Sequence, residues 1–494
     1  MMPRSPAAPG RRAPALLVAT LPLVLGSCGF GRYVANGFQV GPDYEAPQPE
    51  TAAEWIDREP PGLERSEADL TAWWKVFGDP VLDGLVAEAV QQNLSLKASL
   101  ARVAEVGARL GIAQGNFWPQ QQSVSGSALA NKASGEGQFQ VPDQWFRDWQ
   151  VAGSVGWELD LWGRYRRAIE SAEAELQASQ ADHDDATVLL VTEVAANYVR
   201  YRTSQERLTA ARENVTLQEQ NLAITEDRLA AGAASRRDVE MAKQVLAQTR
   251  AYVPAIESDL RFANNALCLL LGKPTMDLTE RMGATGRVPE LPAKVAIGMP
   301  AELLRRRPDV RAAERQLAAQ SARIGIAESD MLPHLALTGA LGVQASSAGD
   351  LTDTPSSLVG FIGPSFRWDV LNYGRFENNV IVQEERFRQL EFRYREAVLA
   401  AGRETEDAIA DVLHSRVRAE EYGRSRDAAA STLTITTDQY NEGTVDFLSI
   451  VYFSSTLAQQ SDAYATARGA AALSLVRLYR TLGGGWKAPA TETQ

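Results

Sequence analysis

Residues 109–120 read RLGIAQGNFWPQ, and residues 323–334 read RIGIAESDMLPH. Arg, Gly, Ile, Ala and Pro recur in place at a shift of 214. Further on the shift is 211: Gly163-Arg164 returns as Gly374-Arg375, Gly232 as Gly443, Leu246-Ala247-Gln248 as Leu457-Ala458-Gln459, and Leu271-Gly272 as Leu482-Gly483. A constant shift held over more than 100 residues points to one unit present twice. Two copies of this length make an internal two-fold repeat and not a solenoid.

Each unit opens on a helix. In the first, Asp79 and Pro80 supply an N-cap and an N1 proline, Leu82, Leu85, Val86, Ala89 and Val90 keep helical spacing, and Pro119 is the expected stop. In the second the helix is expected from near Pro300, with Pro308 restarting or kinking it. The period then changes from helical to alternating. Val124, Gly126 and Ala128, then Val151, Gly153, Val155 and Trp157, read as two strands. Leu335, Leu337, Gly339, Leu341 and Val343, then Val359, Phe361 and Gly363, repeat the pair. Phe139, Trp145, Phe146 and Trp149 cluster at the first connection, as an aromatic girdle at a membrane interface would.

After the strands nothing stops the helical text from Arg164 to Ala231, a run that reaches about 100 Å at 1.5 Å per residue. Leu208, Val215, Leu222 and Leu229 recur every seven residues, and Ala210, Leu217, Ile224 and Ala231 do so two positions on. Two positions is about 200° around a helix, so the seams lie on nearly opposite faces. Such a helix stands between two lateral neighbours in a wall, and the seven-residue period implies left-handed supercoiling. Val239, Leu246, Val253, Leu260 and Leu267 carry the return helix, which Pro254 should bend. Gly232 suits the C′ position, and Ser235 with Asp238 forms a capping box. In the second unit the seam is weaker, Ala419, Arg426, Leu433 and Tyr440, and the turn lies at Asn441 to Thr444.

Composition sets the surroundings. Past residue 27 no run approaches the 18 or so apolar residues of a spanning helix, so strands must do any crossing. Four strands per chain cannot close a barrel, and open edges are not tolerated in lipid, so several chains must share one. Two chains would give eight strands and three would give twelve. Residues 1–27 have the layout of an export signal, with Arg4, Arg11 and Arg12 before the apolar stretch Ala13 to Leu25. Leu25-Gly26-Ser27-Cys28 resembles the lipobox of bacterial lipoproteins, which implies cleavage before Cys28 and its acylation, against the alternative of a plain cleaved signal. Gly29, in place of an Asp, implies sorting to the outer membrane. Loss of the signal's three arginines takes the formal charge from −12 to −15, which argues against nucleic-acid binding and suits either solvated surface or a cation-favouring pore. Cys268 reads as a small core residue. His183, His334 and His414 have no metal-ligand spacing, and no phosphate loop or nucleophile motif accompanies them, so no enzyme, metal or cofactor is expected.

Four motifs carry a resemblance: Val40-Gly41-Pro42-Asp43-Tyr44 with Pro47, the run Trp73 to Pro80 (WWKVFGDP), the run Leu303 to Val310 (LLRRRPDV), and Leu482-Gly483-Gly484-Gly485-Trp486. With them nearly the whole mature chain resembles the TolC-like outer-membrane efflux proteins, in the lipoprotein branch that serves resistance-nodulation-division pumps. The resemblance implies a mainly α fold with a small β part. It also implies a homotrimer that closes a twelve-stranded outer-membrane β-barrel, continued by a periplasmic α-helical barrel. The partners implied are a periplasmic adaptor, an inner-membrane pump and outer-membrane lipids. Function would be that of a passive exit duct for drugs or other small toxic compounds. The alternatives are the exit duct of type I secretion and a lipid-anchored coiled-coil structural protein.

The expected organisation is a signal at 1–27, a lipid-anchored extended segment at 28–78, a first repeat at 79–272, an equatorial linker at 273–299, a second repeat at 300–486 and a tail at 487–494. Carried over from the family, the adaptor-docking tips are Gly232, Ala233, Ala234 and Ser235, and Gly443, Thr444, Val445 and Asp446. Relatives commonly place acids six or nine positions after the second-tip glycine, where this chain has Ser449 and Tyr452. The expected periplasmic gate is therefore Leu448 and Tyr452 with Asp446 nearby, joined by Arg236, Arg237 and Asp238 as polar links between helices.

Overall fold

The computed structural model describes residues 33–34, 36–48, 51–57, 63–64, 70–132, 145–296, 306–353 and 355–486. The signal, Cys28, Gly29, Phe139, Pro300, Leu303 to Arg305 and the tail at 487–494 lie outside the described residues. In chain order the elements are β1 (Leu63–Glu64), α1 (Pro80–Gln92), α2 (Leu94–Gly115), β2 (Gln121–Lys132), β3 (Trp145–Glu158), α3 (Arg164–Ala230), α4 (Arg236–Leu270), α5 (Thr279–Met282), β4 (Val295–Ala296), α6 (Pro308–Ser329), β5 (His334–Ala345), β6 (Leu358–Arg367), α7 (Arg375–Asn441) and α8 (Phe447–Thr481). The chain is mostly helical with a small sheet. Helices α3 and α7 have 67 residues each, and α4 and α8 have 35 each. Among the described residues no helix is long and apolar enough to cross a membrane.

The single helix expected between Asp79 and Pro119 is two, α1 and α2, parted at Asn93. Its backbone leaves the helical region at ψ 127°. The Asn93 carboxamide oxygen accepts from the Leu96 amide at 2.9 Å, recapping α2, while its nitrogen donates to the Leu270 carbonyl at 2.9 Å, one of the orphan acceptors ending α4. Gly272 lies against the same break: a Cβ there would come within 2.7 Å of the Gln92 carbonyl oxygen. Pro254 lies inside α4, which continues through it.

The described chain divides into two compact units, one of residues up to 46, 108–175 and 317–389, the other of residues 47–107, 176–316 and 390–486. In the second unit the core joins α1, α3, α4, α7 and α8 through Leu82, Leu85, Tyr198, Leu267, Ile409 and Leu475, among others. Two of the motifs meet there. The Trp73 ring stacks on Tyr479 with centroids 5.1 Å apart, and the Gly485 amide donates to the Leu70 carbonyl at 2.8 Å. A third reaches the same end: the Arg307 guanidinium donates to the Thr481 carbonyl at 3.4 Å, next to Leu482. On α7 the weak-looking seam is half-buried or buried throughout, and Arg426 keeps its place there by laying its guanidinium 4.5 Å from the Tyr464 ring centroid. Leu208 on α3 is buried, whereas Leu229, in the same seam near the tip, is 36% exposed.

The first unit holds the four-stranded sheet, ordered β2-β3-β5-β6 and antiparallel throughout. Beside it runs the segment after residue 33. The Val40 amide donates to the Trp162 carbonyl at 3.0 Å, and the Tyr33 hydroxyl to the Leu161 carbonyl at 2.7 Å. Arg166 donates to the carbonyls of Gly37 and Phe38, and the buried Arg167 to the Val40 carbonyl and the Asp43 carboxylate. Gly41 and Gly325 touch so closely that a Cβ on Gly41 would lie 2.3 Å from the Gly325 Cα. The Val40 to Tyr44 motif is thus a strap pinned along the start of α3.

Candidate functional site: sheet faces and hairpin tips

Cross-strand register sorts the sheet into two chemically different faces. Val124 stands opposite Gly153, which stands opposite Leu341 and then Gly360, and Val151, Val155, Val343, Leu358, Ile362 and Phe366 share that face. The other face carries Ser123, Ser125, Ser127, Gln150, Ser154, Thr338 and Gln344, with Leu129, Phe146, Val359 and Phe361 as large apolar exceptions. Ser123 and Ser154 are hydrogen-bonded across the strands at 2.9 Å. Neither face is covered: on the apolar one Val124 is 82% exposed and Ile362 75%, and on the other Phe361 is 66% exposed. The edges β2 and β6 are unpaired among the described residues.

Tryptophans on β3 mark out a length of the apolar face. Trp149 and Trp157 on it are eight residues apart on β3, about 26 Å along a strand and about 20 Å after the usual barrel tilt. Trp145, on the same face with the Lys132 ammonium 5.5 Å from its ring centroid, extends the band by four residues. Phe146 points to the opposite face.

At the other end of the long helices the tips are built from local chemistry. Gly232 has φ +73° and Gly443 has φ +78°, backbone that a Cβ disfavours. The Ala233 amide returns to the Arg228 carbonyl at 2.8 Å, and the Thr444 amide to the Gln439 carbonyl at 2.9 Å. Ser235 caps α4, and the Ser235 amide and hydroxyl both donate to the Asp238 carboxylate, at 2.9 and 2.7 Å. Those bonds, the backbone one foremost, hold the Asp238 carboxyl below its usual range. Asp446 caps α8 by accepting from the Ser449 amide at 3.2 Å. Asp238 and Asp446 are therefore committed first to their own helices.

Within the chain the two tips are fastened by residues that the sequence did not single out as site residues. Ala242, Tyr440, Phe447 and Ile450 form a buried cluster, with Leu222 and Met241 against it. The Arg228 guanidinium lies 4.1 Å from the Tyr440 ring centroid and donates to the Asn441 carbonyl at 3.3 Å. Tyr440 already stood in the seven-residue seam, which was the readable signal. Leu448 and Tyr452, one helical turn apart on α8, are 56% and 65% exposed. Arg236 and Arg237 are exposed in the first turn of α4, where a cation opposes the helix dipole. Among the described residues no hydrogen bond or ion pair joins Arg236, Arg237 or Asp238 to Asp446, Leu448 or Tyr452. No cluster of three or more His, Cys, Asp or Glu that could hold a metal occurs among them either. His183 is bonded to Ser99 and His334 to Glu158.

The sequence pattern described as "Outer membrane efflux protein" matches residues 85–273 and again 299–484. The chain belongs to the outer membrane efflux protein family. This efflux protein is 30% identical over 432 residues to the pyoverdine export outer membrane protein OpmQ of Pseudomonas aeruginosa, covering 86% of this chain and 89% of that one. It is 28% identical over 433 residues to nodulation protein T of Rhizobium leguminosarum bv. trifolii, covering 85% and 89%. Among solved structures the outer-membrane channel OprN superposes with a TM-score of 0.84 at 31% identity, over 90% of this chain and 99% of that one. The efflux protein is thus an outer-membrane transport component, and the two-faced sheet is the part of it suited to lipid.

Proposed function

We propose that three copies of this chain form the outer-membrane exit duct of a tripartite efflux system. Each copy is an internal two-fold repeat and contributes four strands to one twelve-stranded barrel, with α3, α4, α7 and α8 of each copy continuing it as a periplasmic helical tunnel. The observation that carries the reading is the single-layer sheet, apolar on one face, polar on the other and, among the described residues, unpaired at both edges. In lipid every unpaired backbone group costs several kcal/mol, so the edges must meet those of other copies. The apolar face then meets lipid and the serine-rich face lines the pore.

Acylated Cys28 anchors the amino terminus in the outer membrane. The adaptor docks at Gly232 to Ser235 and Gly443 to Asp446, where glycine allows a tight turn and close backbone approach. Leu448 and Tyr452, exposed on one face of α8, constrict the periplasmic mouth, with Arg236, Arg237 and Asp238 linking neighbouring hairpins. An inner-membrane resistance-nodulation-division pump supplies the cargo, small compounds of the class that the name of the OpmQ relative suggests. The duct itself is passive and not an enzyme. Deleting the gene and exposing the strain to a panel of small toxic compounds tests the reading. Raised sensitivity to some of them, restored by the intact chain, is expected. Unchanged sensitivity to every compound would count against it.

A further inference from the structure

We infer that Phe38, with Val34 and Leu161 near it, is a lipid contact. The strap turns these side chains toward the periplasmic leaflet of the outer membrane, at the depth where acyl chains meet headgroups. The inference rests on the barrel and the Cys28 anchor proposed above, and adds a hold on the membrane built from the strap's own residues.

The backbone of Phe38 is the first sign. Its φ is +65°, left-handed backbone in which a bulky residue is an outlier, and Gly37 before it has φ +64°. The Arg166 guanidinium holds the bend by donating to both carbonyls, at 2.6 Å to Gly37 and 2.8 Å to Phe38. Asp160 holds Arg166 in turn, with its carboxylate 2.9 Å from the Nε. Glycine at 38 would take the same bend without strain. The chain keeps an aromatic ring there instead, and the residue is 54% exposed. Backbone strain that the surroundings enforce is a mark of use, and what this strain displays is the ring.

The surroundings of the ring suit a boundary between water and hydrocarbon. Phe38 meets the Tyr33 ring edge-on with centroids 5.5 Å apart, and Tyr33 tilts against Trp162 at 5.5 Å. The Tyr33 hydroxyl and the Trp162 indole donate to the backbone carbonyls of Leu161 and Pro333, at 2.7 and 2.8 Å. Their polar atoms are thus satisfied within the protein. What remains exposed around them is apolar, Val34 at 44% and Leu161 at 41% beside Phe38 itself. Aromatic rings with their polar ends satisfied and an apolar rim outward are the side chains that membrane interfaces favour.

Position decides what covers the patch. Arg164 pairs at 3.3 Å with Glu158, which lies on the polar face of β3 with Ser154 and Gln150. Arg166, two positions on and about 200° round α3, reaches the strap instead. The strap therefore lies on the side of α3 away from the pore. Trp157 on the apolar face stands at the end of β3, and Trp162 follows five residues later. Strand β3 is an inner strand, between β2 and β5, so copies joined at β2 and β6 leave its end uncovered. Tyr33 stands five residues after Cys28, at most about 18 Å of extended chain, so acyl groups on Cys28 keep the strap beside the same leaflet. Among water, a second copy and lipid, lipid is the occupant that these constraints favour.

A nitroxide label on Phe38→Cys tests this in the full-length protein, reconstituted into vesicles of phosphatidylethanolamine and phosphatidylglycerol. Cys268 is fully buried and an acylated Cys28 has no free thiol, so the introduced cysteine is the one that reacts. Labels at Val124→Cys on the apolar face and at Lys243→Cys on α4, both exposed positions, give the lipid and the water reference. Spin relaxation should show the label at 38 reached by dissolved oxygen more than by a water-soluble nickel complex, as at Val124→Cys. Val34→Cys is a second site, expected to behave alike and independent of how Phe38→Cys folds. A label at both 34 and 38 reached by the nickel complex as readily as at Lys243→Cys, with Val124→Cys still favouring oxygen, overturns the lipid contact and leaves the barrel standing. Access by neither reagent overturns it too, because protein then covers the patch. A Val124→Cys label reached mainly by the nickel complex overturns the barrel reading beneath.

Discussion

Replacing Arg167 by Met tests the hold on the strap that leads from the amino terminus. The Arg167 side chain is 3% exposed, and its guanidinium donates to the Val40 carbonyl at 3.1 Å, to Asp43 at 2.9 Å and to Glu170 at 2.7 Å. Met keeps much of the buried volume, so the change removes chiefly the hydrogen bonds. Asp43 and Glu170 are 63% and 39% exposed and rehydrate on losing the guanidinium, so their pairs contribute little. The Val40 carbonyl loses a charged donor, worth about 1.5–3 kcal/mol. At about 1.4 kcal/mol per factor of ten, the strap opens about tenfold to a hundredfold more often. Hydrogen exchange followed by mass spectrometry on residues 36–48 reads this at the Val40 amide, which donates to the Trp162 carbonyl. Exchange unchanged within about twofold would show that the strap is held by something other than Arg167.

Serine at Leu448 and Tyr452 together should raise the single-channel conductance of the purified protein in planar bilayers. Unchanged conductance would rule the two out as the constriction. Burial first, and then the charge of Asp309, push the Asp185 carboxyl up to about 6. Its folded form therefore holds a proton that the unfolded chain gives up sooner. The resulting loss of stability is absent below about pH 4, sets in between, and is complete above about pH 6. Asp185→Asn should accordingly be more stable than the parent at pH 7.5, by about 1–2 kcal/mol after discounting for partial exposure. That gap should close below about pH 4 in denaturant unfolding, and a gap independent of pH would refute the assignment. Ser235→Ala removes one half of the capping box and should cost about 1 kcal/mol at the start of α4. It should be read as faster exchange of the Asp238 amide, with exchange in the middle of the helix as the control.

Much of the fold is legible where the chemistry is local. The hairpin turn at Gly232 and the box at Ser235 and Asp238 use partners within five residues, and α3 carries an apolar seven-residue period from Leu208 to Leu229. Strand alternation was readable for the same reason in β2, β3 and β5, whereas in β6 the residues on the apolar face are Leu358, Ile362 and Phe366 and not the expected Val359, Phe361 and Gly363. Asn93 was not, because helical spacing of apolar residues continues on both sides and the decisive partner, the Leu270 carbonyl, is 177 residues away. The strap was equally hidden, since Arg166 and Arg167 reach carbonyls more than 120 residues earlier. Two adjacent arginines at a helix start, where the dipole disfavours cations, were its faint signal. Arg228 escaped for another reason: on a helix face rich in charge, nothing local marks a guanidinium that lies over an aromatic ring of another helix. Arg426 looked like a flaw in the seam until Tyr464 was seen beneath it.

The claim on which the rest depends is that one chain cannot complete its own barrel. Native mass spectrometry of the mature protein in detergent tests it most directly. The account predicts three chains per particle, each contributing its four strands to one closed sheet. A stable single-chain particle, folded and unaggregated with β2 and β6 unpaired, would contradict it.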